Sequence, residues 1–203
     1  MKHQNLSRRG LLATALTIPF ANAGIQCGLL GPSGPEQCQV GIPSHKMNMV
    51  YAWQKLNQWC WAASLEMVFR YHGMAIDQKE IVLQNYGALI NLPASPQQLF
   101  ANLNRVWRTS NGEFEVRSDF FSCTPDLAAH DLNAEFPLIL GTMGHATVLT
   151  AMTYLRNPFN GSGQPQQLTV RDPWPASPGR RILSGYEMAG INNGLALRVR
   201  VDR

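Results

Sequence analysis

The sequence predicts an α+β fold in which helices come first and mostly antiparallel strands follow. Between residues 60 and 134, apolar residues recur at helical spacing between capping signals. Beyond residue 137, short apolar runs are separated by turn signals. A run of helices followed by a run of strands is typical of an α+β domain. The 203 residues are enough for one domain with a substantial core.

The first predicted helix covers residues 60–71 and stops at Gly73, a residue that suits the left-handed position after a helix. Its buried stripe consists of Trp61, Leu65, Val68 and Phe69. Three further helices are predicted over residues 77–87, 95–107 and 124–134. Capping signals define their starts: Asp77 is followed by Glu80, and Ser95 by Pro96.

Five strands are predicted after the helices, over residues 137–140, 146–155, 167–171, 181–183 and 195–201. We therefore expect one domain over residues 48–203, with a helical lobe packed on an antiparallel sheet lobe. Residues 24–47 are rich in glycine and proline and show no period, which predicts a loose N-terminal extension.

Residues 1–23 have the composition of an export signal. Arg8 and Arg9 precede an apolar run from Leu11 to Phe20, and an Ala-x-Ala site ends at Ala23. The paired arginines resemble a twin-arginine signal. The run is shorter than the roughly 20 residues of a membrane span. We therefore expect a periplasmic or secreted protein with no membrane contact after the signal is removed.

The charge of the chain gives no support for nucleic-acid binding. The signal holds Lys2, Arg8 and Arg9 and no acidic residue, so 14 of the 17 basic residues remain against 13 acidic ones and the net charge falls from +4 to +1. No stripe of lysine and arginine remains to neutralise phosphates. We therefore expect no nucleic-acid partner.

The four cysteines are Cys27, Cys38, Cys60 and Cys123. None forms a Cys-x-x-Cys pair, so no zinc site is predicted. An exported protein retains disulfides. We expect Cys27 to pair with Cys38, with Cys60 and Cys123 free; the alternative is a bridge from Cys123 to one of the first two.

Cys60 is the candidate nucleophile because it opens an apolar helix. The N–H groups and partial positive charge of a helix N-terminus favour the thiolate, which is the reactive form. His145 opens a predicted strand after Gly144, and Asp172 ends another before Pro173. A carboxylate that accepts from one imidazole nitrogen fixes the tautomer and favours the charged ring.

A glutamine six residues before Cys60 is the candidate oxyanion donor. The side-chain amide of Gln54 is suited to donate to the oxygen anion that forms on an acyl substrate. Gln58 competes for this role, but its position two residues from Cys60 favours a place in the loop.

These stretches resemble the papain-like cysteine peptidase superfamily, and more narrowly its compact bacterial branch of avirulence proteases and bacteriocin-leader peptidases. The motifs are Gln54 with Cys60-Trp61-Ala-Ala-Ser64, Gly144-His145, and Arg171-Asp172-Pro173-Trp174. Asn57 stands where papain has a second cysteine, and Asp172 where papain has an asparagine. The resemblance covers roughly residues 48–200 and implies a papain-like fold.

The resemblance implies an exported cysteine peptidase that acts through a thioester. Cys60 would be its nucleophile, His145 its base, Asp172 the group that orients the base, and Gln54 the oxyanion donor. The implied partner is a peptide or protein substrate, bound by a monomer, and no metal or organic cofactor is expected. Two alternatives remain open: an acyltransferase, deamidase or isopeptidase that uses the same residues, and a catalytically silent module that binds peptides.

Overall fold

The computed structural model describes residues 24–31, 34–122, 124–191 and 195–202. The expected signal over residues 1–23 and the expected free thiol of Cys123 lie outside the described residues. In the part that is described, helices and one large antiparallel sheet share a single hydrophobic core, so the molecule is an α+β protein.

The helices are α1 (Ser44–Met49), α2 (Cys60–Tyr71), α3 (Gln78–Tyr86), α4 (Pro96–Leu103), α5 (Pro125–Asn133) and α6 (Gly185–Ile191). The predicted stripe of α2 is confirmed, since all four of its residues are buried. The cap signals are also confirmed: Asp77 accepts from the Glu80 N–H, and Gly87 takes the left-handed conformation with φ 72°. No helix within these ranges is long and apolar enough to cross a membrane.

The strands are β1 (Gln26–Leu29), β2 (Glu36–Gly41), β3 (Arg105–Thr109), β4 (Gly112–Ser122), β5 (Leu138–Thr142), β6 (His145–Arg156), β7 (Gly163–Arg171), β8 (Arg180–Ile182) and β9 (Leu195–Asp202). All described pairings are antiparallel. The five strands predicted after residue 137 are therefore confirmed as β5 to β9, with small shifts at their ends.

The long strand β6 is the centre of the sheet. It pairs with β7 along one edge, and along the other with β5 over its first half and β2 over its second half. From β5 the sheet continues through β9 and β4 to β3. Helix α2 packs on β6 and β5, which places the first residue of the helix near the start of β6.

The expectation of a loose extension over residues 24–47 is wrong for most of that segment. β1 and β2 form a hairpin, β2 is hydrogen-bonded to β6, and Cys38, Val40 and Met47 are fully buried in the core. In the β2 segment, the alternation of apolar and polar residues that indicates a strand covers only a few positions between glycines and prolines. Pairing with β6, rather than local propensity, determines its structure.

The predicted helix over residues 95–107 is too long. It ends at Leu103, and Trp107 lies in β3, where it pairs with Phe114 of β4 across a tight turn. The Trp107 side chain would be buried in a helix and in a strand alike, so its apolar character did not distinguish the two structures. Helices α1 and α6 and the strands β1 to β4 were likewise not predicted.

The predicted disulfide between Cys27 and Cys38 is confirmed. It joins directly opposite residues of β1 and β2, with a Cα–Cα distance of 4.0 Å. Because β1 has no other strand partner among the described residues, the bridge ties its exposed strand to a buried one.

The replacement of Gly41 by alanine tests how tightly β2 packs on the sheet. A Cβ at Gly41 would lie 2.5 Å from the Cβ of Ala151 on β6. We expect Gly41→Ala to lower the free energy of unfolding by about 1–3 kcal/mol, as measured by chemical denaturation.

Two further variants serve as controls for this measurement. Gly28→Ala on β1 meets no atom within 4 Å and should unfold like the unaltered protein. The double change Gly41→Ala with Ala151→Gly exchanges the methyl group across the strands and should recover part of the loss. A Gly41→Ala protein of unaltered stability would contradict the packing of β2 on β6.

Candidate active site

Cys60 is the first residue of α2, directly after the loop that contains Gln54. The thiol is partly buried, and Cys60 is the one free cysteine among the described residues. The residue before it caps the helix without a side-chain hydrogen bond. The N–H groups of the first turn therefore face the site without a capping side chain, which favours an anion there.

His145 is the first residue of β6, directly after the two-residue turn from β5. Both turn residues, Met143 and Gly144, have positive φ angles of 51° and 77°. A two-residue hairpin turn of this kind matches the twist of the strands but is unfavourable for a side chain as large as methionine. The turn ends the β5–β6 ladder at the pair Thr142 and His145, so the imidazole projects from the end of the sheet.

Asp172 follows the last residue of β7 and lies beside His145. The register pairs Arg171 with Val148, so the chain beyond β7 runs alongside the start of β6. The Oδ1 atom of Asp172 is 2.7 Å from Nε2 of His145 and also accepts the Trp174 N–H at 2.9 Å. This contact assigns the proton to Nε2 and leaves Nδ1 for the sulfur of Cys60.

The Asp172 carboxylate is ionised and the His145 ring is readily protonated. Burial raises the pKa of Asp172, but hydrogen bonds from His145, the Trp174 N–H and Arg181 outweigh it and lower the pKa to about 2. Burial lowers the pKa of His145, but its contacts with Asp172 and Cys60 raise it to about 9. The imidazolium therefore persists through neutral pH.

The neighbouring imidazolium and hydrogen-bond donors make the thiol of Cys60 more acidic than an ordinary thiol. Burial raises its pKa, but the hydrogen bond with His145, the N–H groups of Ala146 and Trp61, and the imidazolium charge outweigh burial and lower it. Sulfur and imidazole thus form a coupled pair whose titration belongs to both groups.

Gln54 lies next to this group but not in the same cavity. Its side chain is buried, its Nε2 donates to the Leu56 carbonyl at 3.0 Å, and its Oε1 has no partner among the described residues. It lines a neighbouring depression of about 240 Å³ with Trp174. One of the two amide hydrogens remains available in this arrangement. Gln58 is exposed in the preceding loop, as expected.

Gln78, a buried polar residue that sequence reasoning did not identify, holds the backbone on both sides of Gln54 and is itself bound by the buried Glu66. The amide of Gln78 on α3 accepts the Lys55 N–H at 2.9 Å and donates to the Trp53 carbonyl at 2.8 Å. It also donates to Glu66 of α2 at 2.6 Å. The Gln54 N–H in turn donates to the Pro173 carbonyl at 2.8 Å, which joins this loop to the Asp172 segment.

An apolar cavity of about 430 Å³ opens beside Cys60 and His145. Apolar side chains supply most of its wall, including Leu99, Ile139 and Met143. Its other side is the loop around Pro93 and Ala94. The indole N–H groups of the two tryptophans that flank Cys60 secure this loop: Trp59 donates to the Ile90 carbonyl at 2.8 Å and Trp61 to the Leu92 carbonyl at 3.1 Å.

Trp174 lies edge-on to the imidazole of His145, with ring centroids 6.5 Å apart and planes at 90°. Its side chain is exposed, and it lies beside the His145–Asp172 contact.

Arg181 and Glu187 also lie close to the site, and sequence reasoning missed both. The pattern Ser184-Gly-Tyr-Glu187 fits a capping box, and it was the available signal for α6. Nothing in the sequence marks Arg181. Among the described residues, potential metal ligands are grouped at Cys27, Glu36 and Cys38, where the disulfide occupies both sulfurs.

The alkylation of Cys60 should reveal the coupled ionisation. We expect its rate with iodoacetamide to reach a plateau at neutral pH, below the ordinary thiol range, and to change again near pH 9 as His145 loses its proton. Peptide mapping by mass spectrometry distinguishes Cys60 from Cys123. In His145→Ala the plateau should disappear, and a plateau that survives in that variant would contradict the assignment.

Comparison of the sequence with known protein families gives a match. The family described as Papain-like cysteine protease AvrRpt2 matches residues 43–188, a range that includes Cys60, His145 and Asp172. The sheet extends beyond the matched range at both ends, with β1 and β2 before it and β9 after it. No curated protein matches the sequence. The match covers well over half of the chain, and the protein therefore belongs to this family of papain-like cysteine proteases.

Proposed function

We propose that the protein hydrolyses peptide bonds through a Cys60–His145–Asp172 triad. Two observations carry the proposal: the His145 imidazole lies 2.7 Å from the buried Asp172 carboxylate, and Cys60 lines the same apolar cavity as His145. The lowered pKa of the Cys60 thiol agrees with them. A cysteine with this polarisation is a nucleophile at neutral pH. The arrangement corresponds to a papain-like site in which α2 supplies the nucleophile and the sheet supplies the base.

The proposed reaction begins with the pair in its charged form. The thiolate of Cys60 attacks the amide carbon, and the carbonyl oxygen becomes an anion. The first-turn N–H of Cys60 and the free amide hydrogen of Gln54 are the proposed donors to that anion. For Gln54 this requires its side chain to turn toward the substrate while the backbone on both sides stays held by Gln78.

His145 then serves as general acid and general base in turn. Its imidazolium gives a proton to the leaving amine as the C–N bond breaks, and a thioester remains on Cys60. A water molecule gives a proton to the neutral imidazole and attacks the thioester, which releases the acid product and restores the thiolate–imidazolium pair. Asp172 stays ionised throughout and stabilises the charged ring.

The cavity defines the proposed substrate class. Its wall is largely apolar and it lies directly beside the sulfur. An apolar side chain near the scissile bond would bury its surface there, at roughly 25 cal/mol for each Å² removed from water. We infer a preference for peptides with a large apolar residue close to the cleaved bond.

We also propose that the protein acts in an oxidising compartment after export. The Cys27–Cys38 disulfide supports this, because such bridges persist outside the cytosol. The arginine-paired N-terminal segment points in the same direction.

Three variants test the triad by peptide hydrolysis. We expect Cys60→Ala and His145→Ala to abolish turnover. Asp172→Asn should lower kcat by at least about a hundredfold, since the imidazolium loses its carboxylate partner. The folded state of each variant is checked by circular dichroism. Full activity in folded Cys60→Ala would refute the mechanism, and transfer of the acyl group to an added amine in preference to water would identify an acyltransferase.

Cleavage of a proteome-derived peptide library tests the cavity. We expect Ala94→Phe, which narrows the cavity, to shift selectivity from large apolar residues toward small ones at the site beside the cleaved bond. Ala88→Phe introduces the same side chain at an exposed position that does not line the cavity and should leave selectivity unaltered. Identical cleavage patterns for both variants would show that the cavity does not receive the substrate.

A further inference from the structure

Both oxygens of the Asp172 carboxylate are occupied, and Arg181 holds the one that His145 does not use. The Nε of Arg181 lies 2.7 Å from Oδ2 of Asp172. The other two guanidinium nitrogens donate to the two oxygens of Glu187, at 2.9 and 2.6 Å. The guanidinium therefore lies between two carboxylates, and its plane is determined by contacts on both sides.

Glu187 is itself fixed by the first turn of α6. The N–H and hydroxyl of Ser184 both donate to Oε2 of Glu187 at 2.8 Å, and the Glu187 N–H donates to the Ser184 hydroxyl at 3.3 Å. This is a reciprocal capping box. The carbonyl of Glu187 also accepts from the Thr142 hydroxyl at 3.2 Å, and Thr142 is the cross-strand partner of His145. A continuous set of contacts thus runs from the imidazole through Asp172, Arg181 and Glu187 to the cross-strand partner of His145.

The net charge of the cluster formed by Asp172, Arg181 and Glu187 favours the charged form of His145. The charged groups that face His145 are Cys60 and Asp172; Arg181 faces Asp172, and the phenol of Tyr51 donates to the Asp172 carbonyl. An arginine alone on Asp172 would largely cancel the negative charge that the imidazolium needs. With Glu187 on its other side, the three-residue cluster keeps a net charge of −1.

We propose that Arg181 and Glu187 form a positioning pair for Asp172, in which Glu187 restrains the guanidinium so that Oδ1 of Asp172 stays directed at His145. This rests on the proposed role of Asp172 and His145 in catalysis. Neither residue touches the reacting atoms. If Glu187 were lost, Arg181 would be free to engage both oxygens of Asp172 and to compete with the imidazole for Oδ1.

A purely architectural role makes a different prediction. The same ion pairs also join β8 to the start of α6, and in that role their loss lowers stability without altering the imidazole. The positioning role predicts in addition a lower pKa for His145, because both the lost negative charge and the competing guanidinium disfavour the charged ring.

The decisive variant is Glu187→Gln in the full mature protein. We expect the NMR titration midpoint of the His145 ring to fall by about half a pH unit or more. The basic limb of the kcat profile should move down with it. At its optimum, kcat should fall about tenfold, because replacing a residue that orients a site residue commonly lowers activity by at least this factor. KM should change less than twofold. Glu187→Asp keeps the carboxylate and should recover part of each effect.

Two controls separate the outcomes. Glu113→Gln removes the exposed Arg108–Glu113 ion pair at the far hairpin and should leave the His145 midpoint and kcat unaltered. In an Asp172→Asn background, Glu187→Gln should lower the His145 midpoint by less than half as much as in the unaltered protein, because the lost charge still acts through space but the guanidinium no longer competes for a carboxylate oxygen. A Glu187→Gln protein with an unaltered midpoint and kcat would overturn the proposal, whatever its melting temperature.

The NMR titration requires no substrate, so it also separates this proposal from the proposed function. If the unaltered protein hydrolyses no peptide, the proposed function fails. The midpoint of His145 still shows whether Glu187 and Arg181 position Asp172.

Discussion

The buried carboxylate of Asp172 is the constraint on which the site depends. Its side chain is only 5% exposed, and an ionised group at that depth is stable only when its oxygens accept several hydrogen bonds. The donors come from three directions: His145 at the start of β6, Arg181 on β8, and the Trp174 N–H in its own loop. The register of β6, β7 and β8 must be correct for these donors to meet at one carboxylate.

Most of the candidate site could be predicted from short motifs. Cys60 stands out because a thiol at the head of an apolar helix has a chemical reason for its position, and the order of cysteine, histidine and carboxylate narrowed the choice among five histidines. The structure places the His145 imidazole 2.7 Å from Asp172 and sets Cys60 and His145 in the wall of one cavity. Gln54 was selected by its amide side chain, its spacing from Cys60 and the family resemblance, and none of these determines that its amide donates to the Leu56 carbonyl.

The parts of the fold that were missed depend on distant partners. The strand around Val40 is short and flanked by glycines and prolines, and its pairing partner in β6 lies more than a hundred residues further along the chain. Trp107 suits the buried face of either a helix or a strand, although the Asn111-Gly112 dipeptide is a hairpin signal that argued for the strand. Arg181 could not be identified as a site residue, since no motif or periodicity in the sequence marks a single arginine in a three-residue strand.

The two indole hydrogen bonds next to Cys60 have a consequence for how the enzyme can diversify. Trp59 and Trp61 bind the loop that forms one wall of the cavity, and they are also the immediate neighbours of the sulfur. A change in the path of that loop therefore acts on the entry into α2. Under the proposed function, selectivity and reactivity would therefore change together. A loop grafted from another protease would need backbone carbonyls at the positions of Ile90 and Leu92 to accept these two hydrogen bonds.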